Sequence, residues 1–131
     1  VIRYWLDGPQ KGRHEVLIDA LPGFPDNISS GLSGRYWIAL VSPRNPLIDR
    51  LSDKPFLRKM IQRMPAFLRP EAVHYGHAIA VNDKGEVVRD LQDPNGAYPL
   101  NTSLTEAEDY LYIGSLVAQV IARLPKTAAG L

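Results

Sequence analysis

The sequence predicts an all-β chain with one inserted helix, organised as part of a β-propeller. Three observations carry that prediction. Short segments rich in Val, Ile, Tyr and Trp recur between clusters of Gly, Pro, Asn and Asp. One stretch switches to helical spacing. A strand-rich segment is then repeated further along the chain.

The strand pattern gives nine segments, at 2–6, 15–19, 27–30, 36–41, 75–82, 87–91, 102–106, 111–116 and 119–124. In "VNDKGEVV", Lys84 and Gly85 separate two alternating runs, the pattern of a tight hairpin.

The exception is "SDKPFLRKMIQRMPAFL", where Phe56, Leu57, Met60, Ile61 and Met64 fall at i, i+1, i+4, i+5 and i+8. That spacing predicts a helix over about 54–64 with Phe56, Met60 and Met64 against the sheets. Ser52 or Asp53 can cap it, Pro55 suits its first turn and Pro65 ends it. From 42 to 72 the chain has seven Lys or Arg against three acids. A helix packed on its own domain with a solvated cationic face fits this charge, and so does one that touches a membrane or a partner.

Composition bounds what the fold can be. With 131 residues, 45% of them hydrophobic and 22% charged, the chain can build one globular domain with a core. A formal charge of +1 gives no overall electrostatic case for nucleic acid or an anionic membrane. The absence of Cys rules out disulfides, thiolate metal sites and cysteine nucleophiles, and leaves the compartment undetermined. No apolar run reaches the roughly 20 residues that span a bilayer, and "VIRYWLDGP" lacks the pattern of a signal peptide. A strand-like start without Met is expected of a piece of something longer. No Ser-His-Asp order, P-loop, dinucleotide fingerprint or His-x-x-x-His pattern is present.

The repeat joins "PDNISSGLSGRYWIALV" to "PLNTSLTEAEDYLYIGSLV", aligning Asn27 with Asn101 and Trp37 with Tyr112 at an offset of about 75. Removing the helical insertion of roughly 30 residues leaves about 45, the length of one four-stranded propeller blade. The chain then divides into the outer strands of one blade at 1–20, a complete blade at 26–92 with the insertion at 42–72, and the inner strands of a third at 99–124. In such antiparallel blades the Asp26–Asn27 loop, the insertion, "DPNGAYPLN" and the 116–118 turn are expected to share one face. That placement makes the helix a candidate lid or pocket wall.

"RYWLDGPQKG", "LPGFPDNI", "RYWIAL", "NPLIDRLSDKPFLRK", "YGH" and "YLYIGSL" occur here in the order found in strictosidine synthase-like proteins, within the wider gluconolactonase and paraoxonase group, and the chain resembles that family over nearly its whole length. The resemblance implies a six-bladed propeller, of which this chain is the C-terminal portion, about two to two and a half blades. It also implies a divalent metal, usually calcium, on the propeller axis, with Asp26 and Asn27 as ligands and a lactone or ester as substrate. Carboxylate and amide oxygens suit a hard cation. The same dipeptide also fits a turn leading into the strand. His74 and Asn101 are further candidates for the substrate pocket.

The sequence departs from the family in two places. Val41 stands where many relatives carry a His that assists as a base, and "LNTSL" lacks the carboxylate that strictosidine synthase uses at that strand. The second departure argues against the condensation reaction, and no catalytic residue is assigned. The leading expectation is part of a metal-dependent lactone or ester hydrolase. The alternative is a propeller that binds a small molecule or protein without catalysis. Open strand edges at both ends further imply association with copies of the chain or with a missing propeller segment.

Overall fold

The computed structural model describes residues 1–64 and 73–131. Three antiparallel sheets hold nearly all of the regular structure in these residues. The first pairs β1 (Ile2–Tyr4) with β2 (His14–Val16). The second has the order β3 (Gly23–Ser30), β4 (Tyr36–Pro43), β5 (Gly76–Val81) and β6 (Val87–Asp93). The third has the order β7 (Asn101–Glu106), β8 (Tyr110–Ser115) and β9 (Ala122–Pro125). Within each sheet consecutive strands pair, as in the blades of a propeller, and the sheets do not close into a barrel. The chain is a partial β-propeller.

Strand alternation sets up two cores. Residues 37 and 39 of β4 join Ala78, Ala80, Leu104 and Leu111 between the second and third sheets. On the opposite face, Ile38 and Leu40 join Leu21, Ile79 and Val81. With neighbours on both faces, β5 buries all six residues of "GHAIAV", hence its near-continuous apolar sequence. In β8, Leu111 and Ile113 face the second sheet, so the alternate residue Tyr112 lies on the face that corresponds to Trp37's. Among the described residues no further sheet covers that face, and Tyr112 is 40% exposed whereas Trp37 is fully buried.

The hairpin between β5 and β6 closes as its sequence predicts. Gly85 takes φ +81°, a left-handed conformation that costs glycine little. The Asn82 side-chain oxygen accepts from the Lys84 and Glu86 amides. Gly85 also lies against the Leu17 carbonyl, which docks the connection after β2 onto this turn.

Among its described residues the insertion contains two helices, α1 (Pro46–Arg50) and α2 (Pro55–Arg63). α2 matches the predicted span, but its packing does not match the prediction. Phe56 is 73% exposed, Met60 is 53% exposed, and no strand packs extensively on α2 among the described residues. The i, i+4 stripe therefore does not face the sheets of this chain. Pro65 and the end of the insertion lie outside the described residues.

Candidate functional site

The sheet registers gather one set of strand ends. Gly23 pairs with Pro43, Leu40 with His77, and Gly76 with Asp93 in the second sheet, and Asn101 pairs with Ser115 in the third. The Leu100 amide donates to the Tyr75 carbonyl at 3.2 Å, so the same ends of both sheets adjoin. The connections 44–75, 94–100 and 116–121 all leave from this end. The turns at 31–35, 82–86 and 107–109 close the opposite end.

Asp26 and Asn27 lie midway along β3 rather than in a turn before it. The pairing of β3 with β4 shifts between Pro25 and Ile28, a bulge that releases both residues from the regular ladder. Both are exposed. The Asn27 amide nitrogen donates to the Thr102 carbonyl of β7 at 2.8 Å and approaches Asp26 Oδ2 at 3.3 Å. Its nitrogen is thus directed toward the next sheet, leaving the amide oxygen and the Asp26 carboxylate as two neighbouring oxygen donors. Ser29 continues the contact by donating to the Leu104 carbonyl. The edge strands β3 and β7 consequently run side by side.

The other two candidate residues do not join this pair. Asn101 is 4% exposed, and its amide nitrogen donates to the Tyr98 carbonyl at 3.0 Å. It lines a cleft of about 500 Å³ between the second and third sheets, together with Gly76, Asp90, Asp93, Tyr98 and Arg123. The repeat aligns Leu100 with Asp26, so the third sheet offers no carboxylate at the matching position. His74 is exposed, and its carbonyl abuts Gly96 in the 94–100 connection. His77 is buried in β5 with Nε2 at 2.8 Å from Asp90 Oδ1. Val41 is half-buried in β4. Among the described residues no group of three His, Cys, Asp or Glu is placed to hold a metal ion. Asp26 and Asn27 can therefore supply only part of the six to eight oxygens of a calcium shell.

Sequence reasoning missed the most heavily bonded polar side chain among the described residues. Glu106 ends β7 with its side chain fully enclosed. Its Oε2 accepts from the Leu32 amide at 3.1 Å, Arg35 Nε at 2.9 Å and Trp37 Nε1 at 2.8 Å. Its Oε1 accepts from Arg35 Nη2 at 2.9 Å and lies 3.1 Å from Lys126 Nζ. Burial alone would raise the carboxyl pKa. The bonds from Arg35, Trp37, Leu32 and Lys126 outweigh burial and hold it at about 2. This carboxylate fastens the third sheet to the second at the end closed by the short turns. Its partners in the second sheet, Leu32, Arg35 and Trp37, lie about 70 residues before it, and no local motif announces such a contact.

Known proteins match this chain over most of its length. The chain is 38% identical over 132 residues to the adipocyte plasma membrane-associated protein of Mus musculus, a match covering 93% of this chain and 31% of that protein. The protein of the same name from Homo sapiens is 32% identical over 132 residues, with the same coverage. Protein STRICTOSIDINE SYNTHASE-LIKE 10 of Arabidopsis thaliana is 32% identical over 126 residues, covering 89% of this chain and 33% of that protein. The chain thus spans about a third of the length of the curated relatives it matches. No family model matches the chain, and no solved structure matches it. The chain belongs to the family of the strictosidine synthase-like and adipocyte plasma membrane-associated proteins.

Proposed function

We propose that the complete propeller to which this chain contributes is a metal-dependent hydrolase of a lactone or small ester. The observation that carries this reading is the Asp26–Asn27 pair, in which the Asn27 nitrogen is engaged by Thr102 and two oxygen donors are left together on an exposed bulge. Asp26 Oδ1 and the Asn27 amide oxygen are the donors this chain would offer a calcium ion, and the remaining ligands would come from other blades. Such a cation supplies polarisation of the substrate carbonyl and stabilisation of the developing oxyanion. Asn101, held by Tyr98, would shape the neighbouring cleft rather than bind the ion.

A second reading, a propeller that binds a small molecule or protein without turnover, is favoured by one specific observation. Val41 offers no proton-transferring group where the resemblance implies a histidine. Calcium titration of the complete parent protein, followed by assay on a panel of lactones and aryl esters, separates the two. Calcium-dependent turnover that Asp26→Ala abolishes supports the hydrolase. Ligand binding without turnover of any panel member supports the binding protein.

A further inference from the structure

We propose that α2 is a membrane-surface element that docks on anionic phospholipid headgroups. This inference concerns a face of the insertion and does not depend on the hydrolase reading. Three observations converge on it. Phe56, Leu57 and Met60 are all exposed on one nine-residue helix. The helix contains no acidic residue, while Lys54, Lys59 and Arg63 are exposed on or beside it. Its sequence is strongly amphipathic yet low in overall hydrophobicity, the combination of helices that lie in a membrane interface rather than cross it.

The geometry of the helix fits this role. At about 100° per residue, Phe56, Met60 and Leu57 fall within an arc of about 100°, and Arg63 and Lys59 follow on the Phe56 side within a further ~60°. Laid flat, the helix would seat its apolar arc at the boundary between headgroups and acyl chains while the two cations reach lipid phosphates and carboxylates along one border. At about 13 Å the helix is too short to span a bilayer, and no helix among the described residues is long and apolar enough to do so. An anionic surface is favoured over a neutral one by charge. Arg44 is paired with Asp49 at 3.0 Å, but from 50 to 64 the sequence carries basic residues at 50, 54, 58, 59 and 63 against one acid at 53. Each cation near such a surface adds attraction that falls off within a Debye length. The chain's overall charge of +1 conceals this local excess.

The test is flotation of the full 131-residue chain with phosphatidylcholine vesicles, prepared with or without phosphatidylserine. Flotation is expected only with phosphatidylserine and is expected to weaken as salt is added. Combining Lys59→Gln with Arg63→Gln should lower partitioning about tenfold or more, and combining Phe56→Ser with Met60→Ser should do the same. Far-UV circular dichroism should be unchanged in both. Because the chain has no Cys, Phe56→Cys can carry an environment-sensitive fluorophore, whose emission should shift to the blue on anionic vesicles. Equal flotation on neutral vesicles, insensitivity to either pair of substitutions, or no emission shift during flotation would overturn the proposal. So would association with an acidic polypeptide instead of the vesicles, which would assign the face to a protein.

Discussion

Asn27 in β3 and Thr102 in β7 are hydrogen-bonded across two sheets, 75 residues apart in the chain. That separation matches the offset of the sequence repeat, so repeated strands are also spatial neighbours. The bond gives Asn27 a structural role beside its proposed ligand role, and the two can be separated. Asn27→Ala should cost about 1 kcal/mol in urea unfolding by removing the donor to Thr102. Asn27→Asp should cost at least as much, because a carboxylate would face that carbonyl, yet it should preserve calcium binding in the complete protein. Loss of calcium in both variants would tie the ion to the inter-sheet bond rather than to an oxygen donor.

Glu106 makes stability depend on acid. Its folded pKa of about 2 lies below the ordinary 4.5, so its contribution is complete above about pH 4.5 and is lost as pH falls toward 2. The amount is on the order of 3 kcal/mol. Urea midpoints measured from pH 6 downward should fall through this window. Glu106→Gln should lower stability at pH 6 and flatten the decline.

Trp37 donates its indole N–H to the same carboxylate at 2.8 Å within the core. Trp37→Phe keeps most of the apolar volume but removes the donor, and should cost about 1–3 kcal/mol. Combined with Glu106→Gln, the effects should fall short of additivity, because the two residues share one network.

Gly85→Ala should destabilise the chain by more than about 1 kcal/mol. A Cβ at φ +81° would be strained and would press into the Leu17 carbonyl. Hydrogen exchange should show enhanced opening of both the β5–β6 turn and the β1–β2 hairpin. Enhancement at the turn alone would mean that the docking at Leu17 is incidental.

The isolated 131-residue chain should associate in solution and lack lactonase activity. Ile2, Leu6 and Val16 are exposed around the first sheet, and Tyr112, Val120 and Ile121 around the third. Apolar surface of this kind favours association. Light scattering and a calcium-supplemented lactone assay test the two expectations, and a stable monomer with turnover would reverse both.

Elements with local causes were legible in the sequence. The alternating and continuous apolar runs located the strands of the second and third sheets, the Lys84–Gly85 pair gave the hairpin, and the apolar spacing after Pro55 gave α2. The repeat also anticipated the matching faces of Trp37 and Tyr112. What escaped depended on long-range placement. Helical periodicity shows that one side of α2 is apolar but not whether a sheet lies beneath it. The early start of β3 at Gly23 was hidden because Pro25 and the bulge interrupt the strand pattern just before Asp26. Asn27 and Asn101 look equivalent in the alignment. Only the bonds to Thr102 and Tyr98 show that one is exposed at the strand edge while the other is enclosed between sheets.

The two ends of the sheets differ in their freedom to vary. At one end, turns of three to five residues must hold fixed geometry, and Glu106 locks two of the sheets together there. At the other, the corresponding connections range from six residues at 116–121 to the long insertion that carries α1 and α2. Loop closure entropy grows only slowly with length, so lengthening a connection there adds little thermodynamic cost while the strands below keep their register. Recognition can therefore diversify at that rim by insertion and substitution, independently of the residues that make the scaffold fold.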